Sequence, residues 1–517
     1  MTRRGRLGLA AVAGISISLL LPADLPAEEN PPQATEGKAA SAEFHPPQPE
    51  EKLSVTHHTA TLGGRKLSYT ATAGQYLLRT EEGKPRASVF FVAYTLDGVA
   101  EGMKRPVTFS FNGGPGAPAL WVHLGAFGPK KVRLTDEGMP IAPPGELVDN
   151  EYSLLPATDL VFIDPVSTGF SRAVPGEAEK QFHGYKEDIE SVGEFIRLWV
   201  SRNSRWGSPK FLAGESYGTT RAAGLANYLQ SRFGMFLNGV VLISSVLNWQ
   251  HHQFDAGNDM PYLIFLPSYA AAAWYHKRLP PELSGDLEKT LAEVEQFTLT
   301  DYALALLAGD ALAPARRREV AERVARYTGL SVDYVERSNL RIEINRFTKE
   351  LLRGQARTIG RLDARFLGYD RDSVGEVPDF DPALISVVQG FVTLFNDYVR
   401  RELGFESDLP YEYLAARVRP WSFAEFQNQY LNVGEDLRQA MVQNHSLKVL
   451  FAAGYYDFAT PYFDAKFTSA HLGLPPEIAR NVETVTFESG HMMYIRQADH
   501  QKLHQAVVDF LAKAVGR

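Results

Sequence analysis

The sequence predicts an α/β fold, a mixed sheet flanked by helices and interrupted by a helical insert. Three observations support this. Short apolar runs recur with helical patterns between them, and each run ends in a loop marked by Gly or Pro. Alternation of this kind builds layers of helix on sheet. The pattern stops at about residue 250 and gives way to helical spacing as far as about 435, after which apolar runs return.

At 517 residues the chain is too long for one simple core. Residues 1–27 read as a signal peptide. The start, Thr2-Arg3-Arg4-Gly5-Arg6, is basic, the stretch 7–21 is apolar, and Ala23 and Ala27 suit a cleavage site. The apolar stretch is short for a membrane span. An uncleaved anchor is the alternative, and the Arg-Arg pair matches twin-arginine export poorly in its flanks. Residues 28–56, rich in Pro, Glu, Ala and Gln, are expected to form a disordered linker.

Residues 57–250 should form the first part of the core. Strand-like runs lie at 66–70, 87–94, 107–111 and 160–164. A helix is expected over 185–201, then a strand at 210–213, a helix over 219–233 and a strand at 240–243. Residues 251–435 are expected to be a helical cap insertion, with helices at 287–297 and 316–328 among others. Residues 436–517 complete the core with strands at 448–452 and 482–487 and a closing helix near 499–514. No internal repeat is present.

A formal net charge of -8 gives no electrostatic footprint for nucleic acid. With no cysteines, thiol nucleophiles, thiolate metal sites and disulfides are all excluded. The paired histidines His57-His58 and His251-His252 lack metal-ligand spacing and read as surface residues. No metal or cofactor is expected.

The chemistry centres on Gly214-Glu215-Ser216-Tyr217-Gly218. A G-x-S-x-G pentapeptide between a strand and a helix makes a sharp turn that pushes the serine hydroxyl out of the backbone. A hydroxyl is a poor nucleophile until a base takes its proton, and the base needs an acid to orient it. Asp457 and His491 follow Ser216 in that order, each just after an apolar run, where open α/β sheets place their sites. Taken singly, Asp457 reads as a helix cap and His491 as a loop histidine; taken together, in this order and strand context, they read as a triad with Ser216. Tyr217 N–H and the glycine-rich run Asn112-Gly113-Gly114-Pro115-Gly116 are candidate oxyanion donors, the latter reading otherwise as a plain turn.

These segments, with Gly128-Pro129 and the run from Asp164 to Ser171, resemble the serine carboxypeptidase family in content and in order. The resemblance spans about residues 90–250 and 440–500. It implies an α/β-hydrolase fold with a helical cap, and removal of C-terminal residues from peptides, best at acidic pH. It further implies Ser216 as nucleophile, His491 as base, Asp457 as orienter, Gly114 and Tyr217 as the oxyanion hole, and Asn112 and Glu215 as ligands of the substrate's terminal carboxylate.

The sequence also departs from the family. Ala117-Pro118-Ala119 stands where the family has Cys-Ser-Ser, and Ser110 replaces a tryptophan. Ala126 stands where a second glutamate is expected, so the carboxyl pair that shares a proton is lost. Arg221 is either a replacement charge or a solvated helix arginine. The expected partner is a peptide or small ester, with no nucleic acid and no stable membrane insertion after signal cleavage, in a periplasmic or secreted protein. An esterase or acyltransferase on the same triad, or an idle binding protein, are the alternatives.

Overall fold

The computed structural model describes residues 49–99 and 104–516, all within one unit spanning Gln48–Arg517. The expected signal peptide, and the expected linker up to residue 48, lie outside the described residues.

Three strands, β1 (Leu53–Leu62), β2 (Arg65–Arg79) and β3 (Pro85–Leu96), form an antiparallel meander. Gly63 and Gly64 turn β1 into β2 at φ 54° and 73°, values that glycine reaches without strain. β1 corrects the expected linker boundary. Leu53 already pairs with Gly74, four residues inside the stretch read as disordered. The Pro- and Glu-rich composition that suggested disorder says nothing about the hydrogen-bonding edge that β2 offers to this segment.

Next come β4 (Val107–Phe111), β5 (Asp159–Ile163), α1 (Tyr185–Arg202), β6 (Lys210–Ser216), α2 (Tyr217–Phe233) and β7 (Gly239–Ser245). The chain then leaves the sheet for α3 (Met260–Tyr275), α4 (Leu287–Phe297), α5 (Pro314–Thr328) and α6 (Pro382–Arg401), with one two-stranded ribbon, Thr358–Ile359 against Leu367–Gly368. Helix α7 (Gly434–Gln443) returns to the core. Its Asp436 accepts hydrogen bonds from Tyr185 of α1 (3.1 Å) and Asn227 of α2 (3.1 Å). β8 (Lys448–Gly454), α8 (Tyr462–Ala470), β9 (Val482–Phe487) and α9 (Gln497–Ala514) complete the chain.

The strand order is β1-β2-β3-β5-β4-β6-β7-β8-β9, with Arg172–Ala173 also paired to β3. From β5 to β9 every pairing is parallel. The runs β4 (VTFSF), β5 (DLVFI) and β7 (GVVLISS) are buried throughout. Continuous apolar strands of this kind require cover on both faces. Trp199, Leu225 and Leu229 of α1 and α2 supply it on one face, and Leu503, Val507 and Phe510 of α9 on the other. The carboxyl ends of β4, β6, β8 and β9 therefore open toward the cap, and they position the site.

Candidate active site

Strand β6 ends at Ser216, whose φ of 61° and ψ of -131° are unusual for a residue with a side chain. Strain of this kind costs on the order of 1–3 kcal/mol and persists only where the surroundings enforce it. Here the surroundings are tight. A Cβ on Gly214 would sit 2.1 Å from Gly218 O, and one on Gly218 would sit 2.9 Å from Phe111 O. Thr219 braces the turn, donating to Ser216 O (2.6 Å) and accepting from Val246 N–H (2.9 Å).

The loop after β4 packs directly on this elbow, since a Cβ on Gly113 would lie 2.3 Å from Tyr217 N. Gly114 adopts φ 104°, open to glycine. Tyr217 N–H belongs to the first turn of α2, where amides have no intrahelical partner. The two expected oxyanion donors, Gly114 and Tyr217, thus line one cavity with Ser216 and His491. The Gly113→Ala substitution should displace this loop and lower kcat by about 10²–10³-fold, the usual effect of losing one such donor. Steady-state kinetics at unchanged thermal stability would check it, and a loss below fivefold would contradict it.

His491 Nδ1 lies 2.8 Å from Asp457 Oδ2 and 3.2 Å from Thr460 Oγ1. Asp457 is fully buried. Its Oδ1 accepts the amides of Ala459 (2.7 Å) and Thr460 (3.0 Å), and Oδ2 accepts the Thr460 hydroxyl (2.7 Å). A carboxylate only accepts, so His491 Nδ1 carries the proton and Nε2 keeps its lone pair. Burial opposes a charge on His491, but Asp457, and then Glu215, outweigh it and raise its pKa above the ordinary value. The backbone is held too: His491 N–H donates to Leu362 O (2.7 Å), and its carbonyl accepts from Ser244 (2.7 Å). Leu362, a cap residue, has no motif that would have marked it.

Glu215 is buried beside Ser216, and Tyr494 O–H donates to its Oε2 at 2.6 Å. Burial is the dominant influence and pushes its carboxyl up to about 7, against the opposing pull of His491 and Tyr494. Asn112 Oδ1 accepts the amides of Trp121 and Val122 (both 3.1 Å), while its buried Nδ2 makes no hydrogen bond. Asn112 and Glu215 both line the cavity. Ala126 lies in a buried π-helical turn, Val122–Phe127, and the Tyr494 ring fills space beside it, so close that a Cβ on Gly125 would meet it at 2.4 Å. A phenol therefore partners the carboxyl that Ala126 leaves without a second glutamate. Sequence reasoning missed Tyr494, although it stands only three residues after His491.

Neither reading of Arg221 survives. Its side chain is 1% exposed, pairs with Asp188 at 2.8 Å and donates to Asn112 O at 2.6 Å, supporting the glycine loop from behind. His251 and His252 are likewise not surface residues. They grip buried Asp464 at 2.5 and 2.8 Å, joining the start of the cap to α8, because an interior carboxylate must find donors. His57 and His58 lie on β1, with His57 exposed and His58 stacked on Tyr69. Among the described residues no group of His, Asp and Glu could hold a metal ion.

The cavity that joins these groups measures about 590 Å³. Such a site at the carboxyl ends of a largely parallel sheet, under a helical insert, defines an α/β-hydrolase. A profile described as serine carboxypeptidase matches residues 67–509, and the chain belongs to that family. It is a serine carboxypeptidase-like hydrolase.

Among solved structures the chain is similar to the prohormone-processing carboxypeptidase Kex1Δp from Saccharomyces cerevisiae. The TM-score is 0.50 at 16% identity, over 86% of this chain and 91% of that one. A proline iminopeptidase from Mycobacterium smegmatis matches with a TM-score of 0.36 at 14% identity, over 85% and 98%. No curated protein matches the sequence.

Proposed function

We propose that this chain is an exported enzyme that removes C-terminal residues from peptides, with Ser216 as nucleophile, His491 as base and Asp457 as orienter. The observation that carries the reading is the strained Ser216 sharing one cavity with an Asp457-held imidazole and with the Gly114–Tyr217 amides.

Ser216 Oγ attacks the terminal peptide carbonyl while its proton passes to His491 Nε2. The oxyanion faces Gly114 and Tyr217 N–H. Collapse returns the proton to the leaving amine and leaves an acyl-enzyme, which water hydrolyses with the same base. Asn112 Nδ2 and a protonated Glu215 receive the terminal carboxylate, because two ionised carboxyls this close repel.

A pH dependence follows. His491 works as base only when neutral, so activity rises with pH through its raised pKa. Glu215 donates only when protonated, so its contribution falls as pH rises through about 7. Blocked dipeptides with a free carboxylate should therefore give a bell-shaped profile of kcat/KM, and their C-terminal amides only the rising limb. Identical profiles would overturn the role of Glu215, and equal rates for acid and amide would overturn the exopeptidase reading. Ala126 favours the second reading, an esterase or acyltransferase, because one of the family's two carboxyls is absent.

Export rests on residues 1–27. Among the described residues no helix is long and apolar enough to cross a membrane. N-terminal sequencing of mature protein from the periplasm or medium should find cleavage after Ala23 or Ala27. Full-length protein in the cytoplasm would contradict it.

A further inference from the structure

The acidic and basic side chains that line the cavity divide into two groups. His491 is held by Asp457, His252 by Asp464 (2.8 Å) and Glu215 by Tyr494 (2.6 Å). Asp381 caps α6 and accepts the amides of Leu362 (2.9 Å), Ala383 (3.0 Å) and Arg361 (3.1 Å). Arg361 and Arg419 also line the cavity, and among the described residues neither side chain makes a hydrogen bond or a close ion pair, although the Arg361 charge acts on Asp381 and His491 from a distance. Carboxylates are not scarce, since the chain has 61 acidic against 53 basic residues, and cap arginines such as Arg323 and Arg341 each hold one.

The two arginines reach the cavity from distant parts of the chain. Arg361 precedes Leu362, whose carbonyl holds the His491 backbone, so it belongs to the base's side. Arg419 follows the turn that closes on the glycine loop, where a Cβ on Gly116 would lie 2.9 Å from Ala415 O. Much of the remaining lining is apolar, including Trp121, Trp249, Leu384 and Val387. A guanidinium presents a planar fork of donors that matches a carboxylate. Ala126 has meanwhile removed one of the polar groups expected to meet the substrate.

We propose that Arg361 and Arg419 form a cationic subsite for a substrate carboxylate supplied by an Asp or Glu side chain near the scissile bond. The inference rests on the peptidase reading above and names the substrate class for it.

Binding to the Ser216→Ala protein tests it without depending on cleavage. Blocked dipeptides carrying Glu, Gln or Lys at either position, each as free acid and as C-terminal amide, are titrated by calorimetry. Glu should bind about tenfold or more tighter than Gln at low salt, as expected for a charge-assisted hydrogen bond. The preference should shrink at high salt, because both arginines are exposed. Adding Arg361→Gln and Arg419→Gln should bring that ratio to about 1. The preference for free acid over amide, which reads Asn112 and Glu215, should survive the same substitutions. If the Glu/Gln ratio is near 1 before substitution, or survives it, the subsite does not exist. Wild-type protein that cleaves no peptide in this set, while the ratios behave as expected, would instead overturn the peptidase reading.

Discussion

Replacing Ser216 with alanine should lower turnover by about 10⁶-fold, and the same change at His491 by a similar factor, because nucleophile and base act as one unit. Asp457→Asn should cost about 10⁴-fold, because a neutral amide can stabilise the wrong tautomer of His491. The geometry behind this is specific. Asp457 is fully buried and takes two amide protons and one hydroxyl besides His491, so its side chain is fixed in place. Burst kinetics with an activated ester would count acylated sites, and a fluorophosphonate should label the wild type but not Ser216→Ala. Residual turnover within tenfold of wild type in Ser216→Ala would rule out the acyl-enzyme.

The second large effect is on stability. Arg221→Leu should destabilise the fold by about 3–5 kcal/mol, the usual result of removing one partner of a buried ion pair. Asp188 is 2% exposed and would be left in an apolar interior; burial already raises its pKa, and the Arg221 charge is what opposes that rise. Asn112 O would lose a donor in the same change. The companion variant Asp188→Leu/Arg221→Leu removes both charges and should recover much of the loss. Denaturant unfolding of both proteins measures this. Equal midpoints for wild type and Arg221→Leu would mean that the pair contributes nothing.

The strained turn at Ser216 was legible because it is a local event. Gly214, Ser216 and Gly218 lie within five residues, and the backbone they require follows from chain geometry between a strand and a helix. Asp457 and His491 were legible for a related reason. Each follows an apolar run that becomes a parallel strand, the buried β8 or the half-exposed edge strand β9, so its place at the sheet's carboxyl edge is set by the strand before it. The extent of β1 was not legible, since pairing with β2 rather than its own composition orders residues 53–56.

The sequence by itself determined the sheet-and-helix architecture, the order of Ser216, Asp457 and His491 along the chain, and the glycine loop beside them. These depend on short-range periodicity and on backbone conformations that few residues accept. Only the tertiary structure decided which buried charges meet. Arg221 finds Asp188 across 33 residues, Asp464 finds His251 across 213 and Glu215 finds Tyr494 across 279. A buried charged or polar group must be paired, but any of several donors would do. The crossing of distant segments chooses among them, and that choice is written in no local pattern.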